Sequence, residues 1–218
     1  MMSTKRLLFL NVIILIILVG GGFAAYSYYN RSVNYLTTDN AQISGQQVTI
    51  ASPANGKLVD WKGVVGDHFS KNDEIGTVVA TGPDGKPVNM SITLPSNGTV
   101  VQSNAVQDSF VAAGTPLAQV FDLDKLWVTA NIDETKIDQI SVGQDVDISV
   151  DAFPNTTLKG KVEKIGLATA GTFSLLPNTN STANYTKVTQ VIPVKISLED
   201  YKGLQIVPGM NVTVRIKK

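Results

Sequence analysis

The chain has 218 residues, 43% of them hydrophobic and 17% charged, a balance that supplies one or two packed cores. Lys plus Arg equals Asp plus Glu at 18 each, so no long-range field draws the protein to nucleic acid or to an acidic surface. It has no cysteine, which excludes disulfides, thiol catalysis, thiolate metal sites and a lipoprotein anchor.

Residues 1–6 form a short cytoplasmic N-terminus ending in Lys5 and Arg6. Residues 7–29 then read LLFLNVIILIILVGGGFAAYSYY without a charge. At about 1.5 Å per residue this segment reaches about 35 Å as a helix, enough for a hydrocarbon core of about 30 Å. The preceding cations place the N-terminus inside, and Tyr26, Tyr28 and Tyr29 sit where an aromatic belt belongs at the far interface. A cleaved signal peptide is the alternative, because Gly22-Phe23-Ala24 supplies small residues at a cleavage spacing; the length of the apolar run favours a retained anchor. The remainder is expected outside the cytoplasmic membrane, beginning with a linker and first barrel strand over residues 30–46.

Residues 47–121 contain an internal repeat. Laying 48–78 on 90–120 pairs Ile50 with Ile92, Pro53 with Pro95, Asn55 with Asn97 and Gly56 with Gly98, an offset of 42, the difference between 92 and 50. The offset continues through Leu58 and Val100, Val64 and Val106, Asn72 and Gly114, Ile75 and Leu117, and Val78 and Val120. Each copy holds short β-branched runs divided by Gly, Asn and Asp turns, too short to bury a face alone, so the copies must pack on each other. The half-motif turns are Pro53, Gly56, Pro95 and Gly98. Only Val79 to Asn89 lies between the copies, and Gly82-Pro83-Asp84-Gly85 is a tight-turn sequence with no room for helix.

Residues 122–218 change character. Leu126, Val128 and Ala130 alternate with polar residues, and a short helix is expected over Asp133 to Ile140, where Ile137 and Ile140 stand at helical spacing. Val146, Ile148 and Val150 alternate again, as do Val194, Ile196 and Leu198, and Pro208-Gly209-Met210 turns the chain into Val212, Val214 and Ile216. This pattern predicts a small antiparallel β-barrel. The fold class is mainly β, behind one N-terminal transmembrane helix.

Little in the chain offers chemistry. His68, the lone histidine, follows a turn without a partner for a metal site or triad. Asp145, Asp147 and Asp151 lie on the polar face of a strand without the loop glycine of an EF-type calcium site. No residue is assigned catalysis, and no cofactor or metal is expected. Phe173-Ser174-Leu175-Leu176-Pro177 is an apolar run within a Gly-, Thr- and Asn-rich loop. It reads either as barrel core or as a contact for a partner.

The Pro-x-Asn-Gly half-motif, with its later Gly-Asp turn, resembles that of biotinyl/lipoyl domains, whose fold is two interlocked four-stranded halves. The carrier lysine of those domains would fall at Pro87; Lys86 is adjacent, but without the flanking residues that modifying enzymes read. The lipoyl-like repeat, the anchor, and a barrel with Leu126-Trp127-Val128, Gly143-Gln144 and Pro208-Gly209-Met210 together resemble membrane fusion (periplasmic adaptor) proteins of the HlyD/EmrA type. Phe173 to Pro177, then Asn184, Lys187-Val188, Gln190 and Pro193-Val194, is similar to the EmrA branch, departing from it at Val191 and Ala183. The resemblance implies a non-enzymatic, homo-oligomeric adaptor of a multidrug exporter, with a major-facilitator permease as partner. The short connection between the repeats excludes the α-helical hairpin that reaches an outer-membrane channel and points to a single-membrane, Gram-positive type of cell. An adaptor of an ATP-driven exporter, or a surface binding protein with no transporter, would share this fold.

Overall fold

The computed structural model describes residues 13–23, 26–27, 34–173, 189–201 and 203–218. Residues 13–23 are helical and their side chains exposed. Among the described residues no helix is long and apolar enough to cross a membrane, and the expected span of residues 7–29 lies partly outside them. The rest is β structure that divides into two compact units, one of Gln42–Val128 with Tyr201–Met210 and one containing Thr129–Asp200 and Asn211–Lys218.

The repeat builds a sandwich. Its first copy supplies β2 (Gln47–Ala51), β3 (Gly56–Val59), β4 (His68–Phe69) and β5 (Glu74–Thr81). The second supplies β6 (Pro87–Thr93), β7 (Gly98–Ser103), β8 (Phe110–Val111) and β9 (Pro116–Phe121). The sheets run β2-β9-β7-β4 and β6-β5-β3-β8, so each takes two strands from each copy, and exchanging the copies converts one sheet into the other. Between them Ile50, Leu58, Ile75, Val78, Ile92, Leu94, Val100, Leu117 and Val120 form a dry core. Equivalent positions of the two copies meet there, as short strands without a self-sufficient apolar face require.

The equivalence extends to individual hydrogen bonds. Asn55 Oδ1 accepts from the Ala113 amide and Asn97 Oδ1 from the Lys71 amide, both at 2.8 Å. The Ser52 amide donates to the Thr115 carbonyl as Leu94 does to Asp73, and the Gly66 amide to the Val100 carbonyl as Asp108 does to Leu58. Left-handed backbone recurs as well, at Gly66 (φ 100°) and Asp108 (φ 65°), and at Asn72 (φ 72°) and Gly114 (φ 82°). Gly, Asn and Asp are the residues that tolerate it.

The barrel is closed, in the order β1-β10-β13-β12-β11-β14. Its strands are β1 (Tyr35–Ser44), β10 (Trp127–Asp133), β11 (Asp145–Val150), β12 (Thr157–Ile165), β13 (Val191–Leu198) and β14 (Asn211–Lys217). Ala130, Ile132, Val146, Ile148, Val150, Leu158, Val162, Val194, Ile196, Val212, Val214 and Ile216 are buried in it, following the period-two alternation of each strand. Closure leaves no free sheet edge. Where a short helix is expected over 133–140, the chain forms a 3-10 helix at Glu134–Gln139. At six residues it is longer than the usual 3-10 run.

Candidate functional site

The connection between the repeats is a β-hairpin. β5 and β6 pair from Glu74↔Thr93 to Thr81↔Pro87. The Gly82 amide donates to the Lys86 carbonyl at 2.8 Å, and Gly85 takes φ 75°. Lys86 is exposed at the turn, directly before Pro87. On the same hairpin Ser91 Oγ donates to Glu74 Oε2 at 2.6 Å. That hydrogen bond, with help from Thr77 and the charge of Lys62, holds the Glu74 carboxyl below its ordinary pKa against the opposing effect of desolvation.

The half-motif glycines have a packing role. A Cβ on Gly56 would stand 2.3 Å from the Val79 carbonyl oxygen, and one on Gly98 2.4 Å from Val120 Cγ1 and 3.0 Å from the Phe121 carbonyl oxygen. Val79 and Phe121 are themselves 42 apart, the repeat offset, from 121 less 79, so the two close approaches are the same contact made once in each copy. Pro53 and Pro95 flank the same two turns. These four residues position strands and hold no reacting group.

Of the predicted contact run, Phe173 closes a 3-10 turn at Ala170–Phe173, braced by the Thr172 amide donating to the Thr169 carbonyl at 3.0 Å. Ser174, Leu175, Leu176 and Pro177 lie outside the described residues. His68 stands in the two-residue strand β4, where a turn is expected, paired to Thr99 with 3.3 Å between Nδ1 and the Thr99 hydroxyl.

The barrel aspartates are ion-pair partners. Asp145 and Asp147 lie opposite Lys161 and Lys159 across β11 and β12. Lys161 Nζ approaches Asp145 Oδ1 at 2.6 Å, and Lys159 Nζ contacts Asp147 Oδ1. The hydrogen bond from Lys161, then its charge, lowers the Asp145 pKa, and the reciprocal interactions raise those of Lys159 and Lys161. Among the described residues no group of three His, Cys, Asp or Glu side chains could hold a metal ion.

An open, mainly apolar groove of about 600 Å³ lies within the sandwich unit, lined by Val65, Val101, Phe121, Leu123, Val207 and Pro208 among others. Its walls come from four separated stretches of chain, so no local periodicity in the sequence marks it.

Two known family models match successive parts of the chain, meeting between β9 and β10. The family model for the YhbJ barrel-sandwich hybrid domain matches residues 46–122, and that for the YknX-like β-barrel domain matches residues 126–216. The chain is 40% identical over its whole length to the putative efflux system component YhbJ of Bacillus subtilis, covering 95% of that protein. It is 36% identical over 129 residues to the multidrug export protein EmrA of Escherichia coli, and 34% identical over 126 residues to the colistin resistance protein EmrA of Acinetobacter baumannii. It spans only 33% and 36% of those two relatives. In fold it is similar to the periplasmic adaptor EmrA (TM-score 0.55, 11% identity, 85% of this chain and 99% of that one). The membrane fusion protein Spr0693 of Streptococcus pneumoniae is also similar (TM-score 0.60, 15% identity, 84% and 98%). With a relative of 40% identity matched from end to end, the chain belongs to the HlyD/EmrA-type membrane fusion (periplasmic adaptor) family, in the short form represented by the efflux-system component YhbJ.

Proposed function

We propose that this protein is the membrane-anchored adaptor of a multidrug efflux system, docking on the outer face of a major-facilitator permease. The observation that carries the reading is the end-to-end match to an efflux-system component, together with identity to several EmrA proteins over more than half of this chain. The permease supplies the energy. The adaptor contributes geometry: residues 7–29 hold it in the cytoplasmic membrane with its C-terminal domains outside, the sandwich acts as spacer and self-association module, and the barrel acts as a docking surface. Phe173 to Pro177 is a contact segment in this scheme. The five-residue turn between β5 and β6 supports a single-membrane cell with no outer-membrane channel to reach, because five residues extend at most about 18 Å. The test is a mild-detergent pull-down of the tagged chain from its native membrane, with mass spectrometry of what is retained. Recovery of a proton-driven permease is the expected result. Recovery of an ATP-driven exporter instead would reassign the partner, and repeated recovery of no transporter after crosslinking would refute the reading.

A further inference from the structure

The barrel's strand register gathers one rim from distant parts of the chain. The Lys218 amide donates to the Asn34 carbonyl at 2.9 Å, joining the start of β1 to the end of β14. β14 continues the rim to β11 through Val146↔Ile216, and the Gly143 amide donates to the Val162 carbonyl, joining the turn before β11 to β12. The Gly166 amide donates to the Pro193 carbonyl, joining the end of β12 to the start of β13. Val142 and Leu167 therefore share a rim with Asn34, and they are 64% and 99% exposed.

The charges on this arc have an uneven pattern. Lys161 is paired with Asp145, and Lys195 with Glu163 at 2.9 Å. Lys164 and Lys217 are exposed, and among the described residues neither has a carboxylate within ion-pair distance. Glu134 and Asp138 stand on the 3-10 helix that leads along this rim from β10 to the turn before β11, where the Gln144 side-chain amide donates to the Gln139 carbonyl. Val142 and Leu167 are bare aliphatic side chains flanked along the arc by Lys164 and by Lys217, whose charge also acts on Asp145. They suit a bilayer interface, where aliphatic groups enter the acyl boundary and lysines extend to the phosphates.

The tether identifies the occupant. Five peptide steps separate Tyr29, the end of the expected span, from Asn34, and at about 3.6 Å each they allow about 18 Å at most. We infer that the β12-β11-β14 arc of this rim seats on the outer headgroup layer of the membrane, with Leu167 and Val142 inserted and Lys164 and Lys217 on lipid phosphates. The inference rests on the anchor reading and extends it from attachment to the membrane to a defined orientation of the barrel.

The absence of native cysteine allows a direct test. The full-length chain, carrying an environment-sensitive fluorophore at a single introduced cysteine, is placed in nanodiscs of phosphatidylglycerol and phosphatidylcholine with or without a lipid-borne quencher. Leu167→Cys and Val142→Cys replace exposed side chains and leave the core intact. Leu15→Cys reports on the span, and Asn155→Cys, in the β11–β12 turn at the opposite rim, is the reference. Expected is a blue-shifted emission and about a twofold quenching at 167 and 142, as for a label within roughly 5–10 Å of the acyl boundary, with none at 155. Quenching at 15 without quenching at 167 and 142 overturns the seat and leaves the anchor standing. No quenching at 15 overturns both. Shielding of 167 and 142 that occurs only when a permease is co-reconstituted assigns the rim to a protein and also overturns the proposal.

Discussion

Gly56→Ala and Gly98→Ala form a natural pair, because the repeat makes them the same substitution in two slightly different surroundings. At Gly56 the new methyl would lie 2.3 Å from the Val79 carbonyl oxygen and 2.8 Å from Val79 C and Val78 Cγ1. Two of these three obstacles are backbone of the paired strand β5, so relief requires moving the β3–β5 ladder itself. At Gly98 the nearest obstacle is the Val120 methyl at 2.4 Å, with backbone first met at 3.0 Å. Rotation of a stiff β-branched side chain relieves part of that clash. Overpacking of this kind costs about 1–3 kcal/mol, so Gly56→Ala belongs near the upper end and Gly98→Ala near the lower. For a domain of this size about 2 kcal/mol corresponds to a fall in Tm of about 8–16 °C. The assay is thermal and urea unfolding of the full chain in detergent, read on the sandwich transition. A Gly56→Ala protein within about 0.5 kcal/mol of the parent, the range of an inert surface change, would refute the close-approach reasoning, as would a larger loss at Gly98.

Asn55→Ala and Asn97→Ala each remove one side-chain acceptor from a backbone amide at 2.8 Å; both should cost about 1 kcal/mol by urea unfolding, with the double variant near the sum if the two turns are independent. Leu58→Ala, at a fully buried position of the sandwich core, should cost about 2–5 kcal/mol, and a loss as small as that of an exposed substitution would show that the sheets do not pack as described. Asp145 has a lowered folded pKa, so its pairing with Lys161 stabilises the barrel above the ordinary carboxylate pKa and that contribution is lost as pH falls through the folded value. Lys161→Met should therefore flatten the acid side of a Tm-against-pH profile, and an unchanged profile would show that the pair contributes nothing to folding.

The sandwich was legible because its turns are local. Pro, Asn and Gly must stand at particular points of each half, so the offset of 42 survives in the sequence even where strand residues diverge, as at His68 and Phe110. Barrel strands with one buried face, such as β11 and β14, were legible from alternation alone. Which strand joins which sheet was not, because the exchange that puts β9 and β7 between β2 and β4 is a long-range pairing with no local mark. The apolar groove was hidden for the same reason: Val65, Phe121 and Val207 are each ordinary in their own stretch and meet only after folding. The 3-10 helix was read as ordinary helix because spacing of three residues between Ile137 and Ile140 fits both windings.

The interlocked sheets also explain why the connection between the repeats can vary in length without cost to the core. Every residue of the sandwich core lies in or beside strands that are hydrogen-bonded to the other copy, and the reciprocal bonds from Asn55 and Asn97 close the two halves on each other without using a residue of the β5–β6 turn. That turn is reached only after β5 and β6 have paired out to Thr81↔Pro87, and its residues 82–86 contribute nothing to the core. Lengthening it costs little more than loop entropy, about 0.6 kcal/mol per doubling. A fold joined in this way can carry either a tight turn or a long projection at the same point, so the reach of an adaptor can change while its sandwich and its barrel keep their packing.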